Sequence, residues 1–221
     1  MKKAVLFDLD GVLLDSMPYH VQAWQLVLSP LNVTIEAEDI YLREGTRTSE
    51  LARELLRQYQ IELSEQAIEK IVSAKSQSYN QISQARLMPG AIELIDDLKY
   101  RQVSCAIVTG SYRENLERVV PEDFLNNFDA IIGGGDVTVG KPDPQPYLLA
   151  AQRLNLQPAE CVVIENAALG VRSALAAGMP CVAITSSQSA EQLREADLIL
   201  ADLQQVMEKL EEILSLGENE T

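Results

Sequence analysis

Short apolar runs rich in β-branched residues alternate with helix-length stretches along most of this chain, and that alternation restricts the fold more than any other feature. The runs fall at 4–7, 103–108, 129–132, 161–164, 181–184 and 197–200. Helical patterns occupy 90–100, 112–120, 145–154, 167–177 and 203–215 between and after them. Strands that alternate with helices predict βαβ units on a mostly parallel sheet. Runs that are apolar at nearly every position, instead of every second one, predict a sheet covered on both faces. The expected class is therefore α/β, with a doubly wound, mostly parallel, Rossmann-like sheet core.

One region breaks the alternation. Residues 17–86 contain no convincing buried strand and read as helices at 17–28, 36–43, 48–59 and 64–84. Ser64 followed by Glu65 has the form of an N-cap with a first-turn acid. Met88-Pro89-Gly90 then punctuates the return to the alternating pattern. The expected organisation is a core domain of residues 1–16 and 87–221 carrying an inserted all-helical cap domain of residues 17–86. The polar tail at 217–221 is expected to fray.

Composition narrows the partners. The chain has 221 residues and a formal charge of −15, so its surface repels a nucleic-acid backbone. A small phosphorylated substrate stays compatible, because a few local cations can govern a pocket. Cys105, Cys161 and Cys181 each sit in an apolar run, where a thiol behaves as a small hydrophobe. An odd count without disulfide-like spacing fits a reducing compartment. The apolar stretch after Met1-Lys2-Lys3 is too short for a signal segment, and none is long enough to span a membrane. The expectation is a cytoplasmic protein with no nucleic-acid or membrane partner, standing as a monomer or weak dimer.

The first strand runs into FDLDGVLLDS at 7–16, which sets Asp8 and Asp10 beyond its carboxyl end. Ligands of open α/β sheets bind at such ends. Two carboxylates two residues apart project to the same side and repel, a cluster that a hard divalent cation such as magnesium stabilises. Spacing alone fits a solvated strand-to-loop cap equally well. The other strand ends tip that balance. VTGS at 108–111 sets the Thr109 hydroxyl and following N–H groups at the same edge, before a helix start suited to phosphate. GKPDP at 140–144 adds Lys141, and VIEN at 163–166 adds Glu165 and Asn166. Carboxylate, hydroxyl, cation and carboxylate at successive strand ends make a convergent site.

In that order FDLDG, VTGS, GKPDP and VIEN resemble the four motifs of the haloacid dehalogenase superfamily. With a helical insertion after the first motif, the chain is similar to its β-phosphoglucomutase-like phosphatase branch, over essentially its whole length. The resemblance implies that Asp8 attacks phosphorus to form an aspartyl-phosphate, and that Asp10 serves as acid and then base. It implies that Thr109, Gly110, Ser111 and Lys141 hold the phosphoryl oxygens. Mg2+ would be bound by Asp8, the backbone carbonyl of Asp10 and Glu165. Asn166 stands where many relatives carry an acid, so Glu165 is expected as the principal ligand of this motif and Asn166 as its helper.

The insertion adds Arg47, His20 and Lys75. In relatives an arginine near position 47 reaches a second anionic group of the substrate, and a lysine near 75 approaches the general acid. The bland alternatives are solvated charges for Arg47 and Lys75, and packing against Trp24 for His20. GDVTVGK at 135–141 matches the start of a nucleotide-binding loop, but Pro142 replaces the hydroxyl residue that loop needs. The expected activity is hydrolysis of a small phosphorylated metabolite such as a sugar phosphate. A β-phosphoglucomutase is the nearest alternative. A phospho-accepting receiver module fits less well, because the insertion directly follows the first strand. A dehalogenase is disfavoured by Asp10.

Overall fold

The computed structural model describes residues 1–217. Apart from Gly217, the tail expected to fray lies outside them. Strand β1 (Ala4–Phe7) is followed by the two-residue β2 (Leu14–Asp15) and by helices α1 (Met17–Leu28), α2 (Ala37–Tyr41), α3 (Thr48–Gln58) and α4 (Glu65–Ile82). Then come β3 (Arg86–Leu87), α5 (Ala91–Tyr100), β4 (Ser104–Val108), α6 (Arg113–Val119), α7 (Glu122–Leu125), β5 (Ala130–Ile132) and α8 (Gln145–Arg153). The chain continues through β6 (Cys161–Glu165), α9 (Ala168–Ala176), β7 (Cys181–Ile184), β8 (Leu198–Leu200), α10 (Leu203–Glu208) and α11 (Leu210–Leu214).

Six strands form one sheet in the order β5-β4-β1-β6-β7-β8, and every neighbouring pair is parallel. The chain builds outward from β1 in one direction through β4 and β5, and in the other through β6 to β8. The switch point is therefore at β1, and the residues just beyond it enter the crevice where open α/β sheets bind ligands. Alternation along β1 divides the core: Val5 and Phe7 join a cluster with Leu94, Ile107 and Ile164, while Ala4 and Leu6 join one with Tyr147, Val163 and Val171. Each large side chain so buried contributes about 1.5–3 kcal/mol.

Between β2 and β3 the chain makes a helical excursion with its own apolar centre, which includes Trp24, Leu28, Ile35, Leu55 and Val72. Its longest helix is capped as the sequence predicts, the Ala67 N–H donating to Ser64 Oγ at 3.3 Å. The excursion leaves and returns through a short antiparallel stem, Leu14 opposite Leu87 and Asp15 opposite Arg86. The apolar pattern does not announce this stem, because two residues are too few to carry a period. The single helix expected at 203–215 divides at Lys209 into α10 and α11, and α7 is an additional short turn of helix. Among the described residues no helix is long and apolar enough to cross a membrane.

Candidate active site

Three strand ends meet on one lysine. The Asp8 N–H donates to Ile164 O at 3.0 Å, which ties the start of the crevice to β6. Lys141 comes from the segment after β5, and its Nζ donates to Asp8 Oδ1 at 2.5 Å, to Glu165 Oε1 at 2.6 Å and to Val108 O at 3.0 Å. All three charged residues are buried. Burial works against the lysine charge, but the two carboxylates prevail and hold Lys141 above the usual lysine range. Burial also raises the Asp8 carboxyl, reinforced by the charges of Glu165 and Asp10 and opposed by Lys141.

Glu165 is saturated by its neighbours. Oε1 accepts from Lys141 and from Tyr147 Oη at 2.8 Å, and Oε2 accepts from the N–H groups of Asn166 at 2.9 Å and Ala167 at 3.1 Å. A carboxylate has about four lone-pair sites, and four donors fill them. In this arrangement every Glu165 oxygen is engaged by protein donors, so serving as the principal metal ligand, as the sequence leads one to expect, requires one of them to give way. Its adjacent residue behaves differently. Asn166 is fully buried, and its Oδ1 has no hydrogen-bond donor.

Asp10 is gripped in the same way. Its Oδ1 accepts from Ser16 Oγ at 2.6 Å and pairs with His20 Nε2 at 3.0 Å, while Oδ2 accepts from Thr109 Oγ1 at 3.3 Å and Ser111 Oγ at 3.2 Å. Ser16 stands at the N-cap of α1 but makes no capping bond; its hydroxyl is turned to Asp10 instead. Burial opposes the Asp10 charge, and His20 and Ser16 outweigh it, so the carboxyl lies well below its usual range. Behind His20, Lys75 Nζ approaches Nδ1 at 2.7 Å, and the His20 ring stacks on Tyr79 with centroids 4.2 Å apart. An ammonium can only donate, so this contact makes Nδ1 the acceptor and leaves the imidazole proton on Nε2, aimed at Asp10.

The excursion closes directly over these groups. A Cβ at Gly110 would lie 2.6 Å from Thr46 O, so the residue after Thr109 must be glycine for the two segments to touch. The resulting cavity is lined by Asp8, Asp10, His20, Lys75, Gly110 and Ser111 among others, and its volume of about 50 Å³ has room for a few water molecules. Arg47 does not line it. Its Nε donates to Gly134 O at 2.8 Å and its Nη1 to Thr138 O at 2.6 Å, clasping the excursion to the backbone of residues 134–138. Glu44, which sequence reasoning passed over, does line the cavity and is buried. Burial pushes its carboxyl well above the usual range, against the hydrogen bonds from Ser187 and Asn166. Tyr147 was also missed, since an aromatic on a helix face reads as ordinary core.

Among the described residues no three His, Cys, Asp or Glu side chains form a ready-made metal cage. The donor set instead offers the Asp8 carboxylate and the unpaired Asn166 oxygen, to which the family resemblance adds the Asp10 backbone carbonyl. An orphaned buried oxygen asks for a donor or a cation, and an all-oxygen set suits magnesium, which keeps several of its own waters. The residues fit the ion.

A buried aspartate–lysine pair and a second aspartate at the switch point define a haloacid dehalogenase-like site, and the chain belongs to the haloacid dehalogenase-like hydrolases, whose family model matches residues 2–178. Validoxylamine A 7'-phosphate phosphatase of Streptomyces hygroscopicus subsp. limoneus is 32% identical over 209 residues, covering 93% of this chain and 96% of that protein. Hexitol phosphatase A of Escherichia coli (strain K12) is 33% identical over 216 residues, covering 92% and 93%. The crystal structure of β-phosphoglucomutase (pgmB) from Clostridium difficile superposes with a TM-score of 0.87 at 25% identity, over 97% of this chain and 98% of that one.

Proposed function

We propose that this enzyme is a magnesium-dependent phosphatase that hydrolyses a small sugar phosphate through an aspartyl-phosphate on Asp8. The observation that carries the reading is the buried Lys141 ammonium 2.5 Å from Asp8 Oδ1, beside an Asp10 held by four donors. The sugar-phosphate part draws on the names of the relatives. Residues 1–16 with 87–221 form the core in this reading, and 17–86 form a cap that opens to admit substrate, since the present cavity is too small for a sugar.

Asp8 attacks phosphorus, the ester P–O bond breaks, and the departing sugar oxygen takes a proton from Asp10. Thr109, Gly110, Ser111 and Lys141 bind the phosphoryl oxygens. When the Thr109 and Ser111 hydroxyls turn from Asp10 to the phosphoryl group, Asp10 loses two donors and its proton affinity rises, which readies it as the acid. In the second half Asp10 takes a proton from water, the water oxygen bonds to phosphorus, and the Asp8–phosphorus bond breaks to release phosphate. Asp8, the Asp10 carbonyl and Asn166 Oδ1 would hold magnesium, which supplies positive charge to the transferring group.

A β-phosphoglucomutase reading is favoured by one feature, the His20–Lys75 pair on Asp10 under a closed excursion that leaves little room for bulk water. A panel of sugar phosphates incubated with the enzyme and Mg2+ separates the two. Release of free phosphate supports hydrolysis, whereas conversion of β-glucose 1-phosphate to glucose 6-phosphate without phosphate release overturns it. Full activity in Asp8→Asn would sink the covalent mechanism in either form.

A further inference from the structure

Glu44 lies in the turn between α2 and α3, only 5% exposed, and lines the cavity shared by Asp8 and Asp10. Its Oε1 accepts from Asn166 Nδ2 at 2.6 Å and its Oε2 from Ser187 Oγ at 2.6 Å. The Asn166 amide also contacts Ser187 Oγ through Nδ2, at 2.9 Å. Both amide hydrogens are thereby used, the amide plane is fixed, and Oδ1 is the atom left unpaired in a fully buried side chain. Gly11 leaves space for this junction. Its φ is +83°, and a Cβ there would sit 2.1 Å from Asn166 Nδ2 and 2.9 Å from Glu44 Oε1.

A carboxylate at position 166 would confront Glu44 at that same 2.6 Å separation, placing two negative groups together out of water. An amide there instead donates to Glu44 and keeps an oxygen to spare. The two positions therefore divide one task between them, charge from Glu44 and a ligand atom from Asn166. The partners lie 122 residues apart, Glu44 on the helical excursion and Asn166 at the end of β6. Nothing in the phosphatase-versus-mutase question depends on this division.

We propose that Glu44 is a positioning residue for the divalent cation: it aims Asn166 Oδ1 at the ion and supplies the negative charge that asparagine lacks. This rests on the magnesium reading above. It adds that the ion is fully charge-balanced only while the excursion is seated on the sheet, so cation binding and seating reinforce each other. Partners of this kind, one shell out from a metal, typically change its affinity by about 10- to 100-fold.

Magnesium binding is measured by calorimetry on the intact protein without substrate, for wild type, Glu44→Gln and the double variant Glu44→Gln/Asn166→Asp. Hydrogen exchange at residues 43–47 is followed with and without Mg2+. Glu44→Gln is expected to weaken Mg2+ at least about tenfold and to lose the metal-induced protection. The double variant, with the charge returned to the strand end, is expected to recover affinity to within about threefold of wild type. If Glu44→Gln fails to fold, Ser187→Ala, which removes the other donor to Glu44, carries the same expected weakening. Unchanged Mg2+ affinity in Glu44→Gln, or no recovery in the double variant, overturns the proposal while the magnesium reading stands. A wild-type protein that binds no Mg2+ and turns over fully in EDTA overturns both.

Discussion

Lys75 Nζ lies 2.7 Å from His20 Nδ1 in a fully enclosed setting, and the opposite ring nitrogen of His20 faces Asp10 at 3.0 Å. Burial lowers the Lys75 pKa from 10.5 to about 8, with the Asp10 charge resisting the shift. Above about pH 8 the ammonium gives way to an amine, His20 is no longer restricted to one tautomer, and Asp10 loses an assured donor. Activity should therefore fall on the alkaline side with a midpoint near 8 that Lys75→Met removes, together with much of kcat. Stability moves the opposite way. The unfolded chain binds more protons at Lys75 than the folded one between about pH 8 and 10.5, so stability contributed by this residue rises with pH across that window. Melting curves of wild type minus Lys75→Met over pH 7–10.5 give the sign directly, and a falling difference would contradict it.

Lys141 is the counter-charge for two buried carboxylates, so its removal costs fold as well as chemistry. Lys141→Ala should destabilise the protein by about 3–5 kcal/mol in urea unfolding, because Asp8 and Glu165 are left without a cation. Adding Asp8→Asn to that variant should restore part of the loss while activity stays abolished. A single variant as stable as wild type would show that the pair is not under charge stress.

Arg47 acts in this structure as a clasp between the excursion and the Gly134–Thr138 backbone. Arg47→Ala should lower kcat by about ten- to a hundredfold through imprecise seating, with a stability loss of only about 1–3 kcal/mol. Protease cleavage near residues 43–47 should accelerate in parallel. A substrate-anchoring arginine would behave differently, raising KM for doubly anionic substrates and leaving cleavage rates unchanged.

Tyr147 donates to Glu165 from the fully buried face of α8. Tyr147→Phe leaves a lone pair of Glu165 unsatisfied and should cost about 1–3 kcal/mol in denaturant unfolding. Its effect on turnover should be small, since Lys141 still bridges Asp8 and Glu165. A stability change below a few tenths of a kcal/mol would mean that the phenol bond is dispensable.

The sheet was legible because its signal is local: each strand is a contiguous apolar run, and the strand ends carry polar residues that sequence order alone lines up. Asp8, Asp10, Thr109 and Lys141 could be nominated on that ground, and the structure brings them together. Glu165 and Asn166 were given the parts of principal ligand and helper only through family likeness, and their contacts are not legible in the sequence. Neighbours at a strand end face opposite ways, and which one meets Lys141 depends on a segment 24 residues away. Glu44 and the Arg47 clasp were illegible for a similar reason, since their partners are distant in the chain and no periodicity marks them. Lys75 was nominated through family likeness and His20 from its place on the first insertion helix, and the structure sets the two in a row behind Asp10.

The short β2–β3 stem has a consequence for how such a protein can diversify. Because Leu14 and Leu87 hold the two ends of the excursion side by side, everything above them can be lengthened, shortened or replaced without changing the register of a single sheet strand. New substrates can thus be explored above the stem while the reacting groups below it stay as they are. The contacts that cross back down, from Glu44 to Asn166 and from Arg47 to the 134–138 backbone, then act as a compatibility test that any transplanted excursion has to pass.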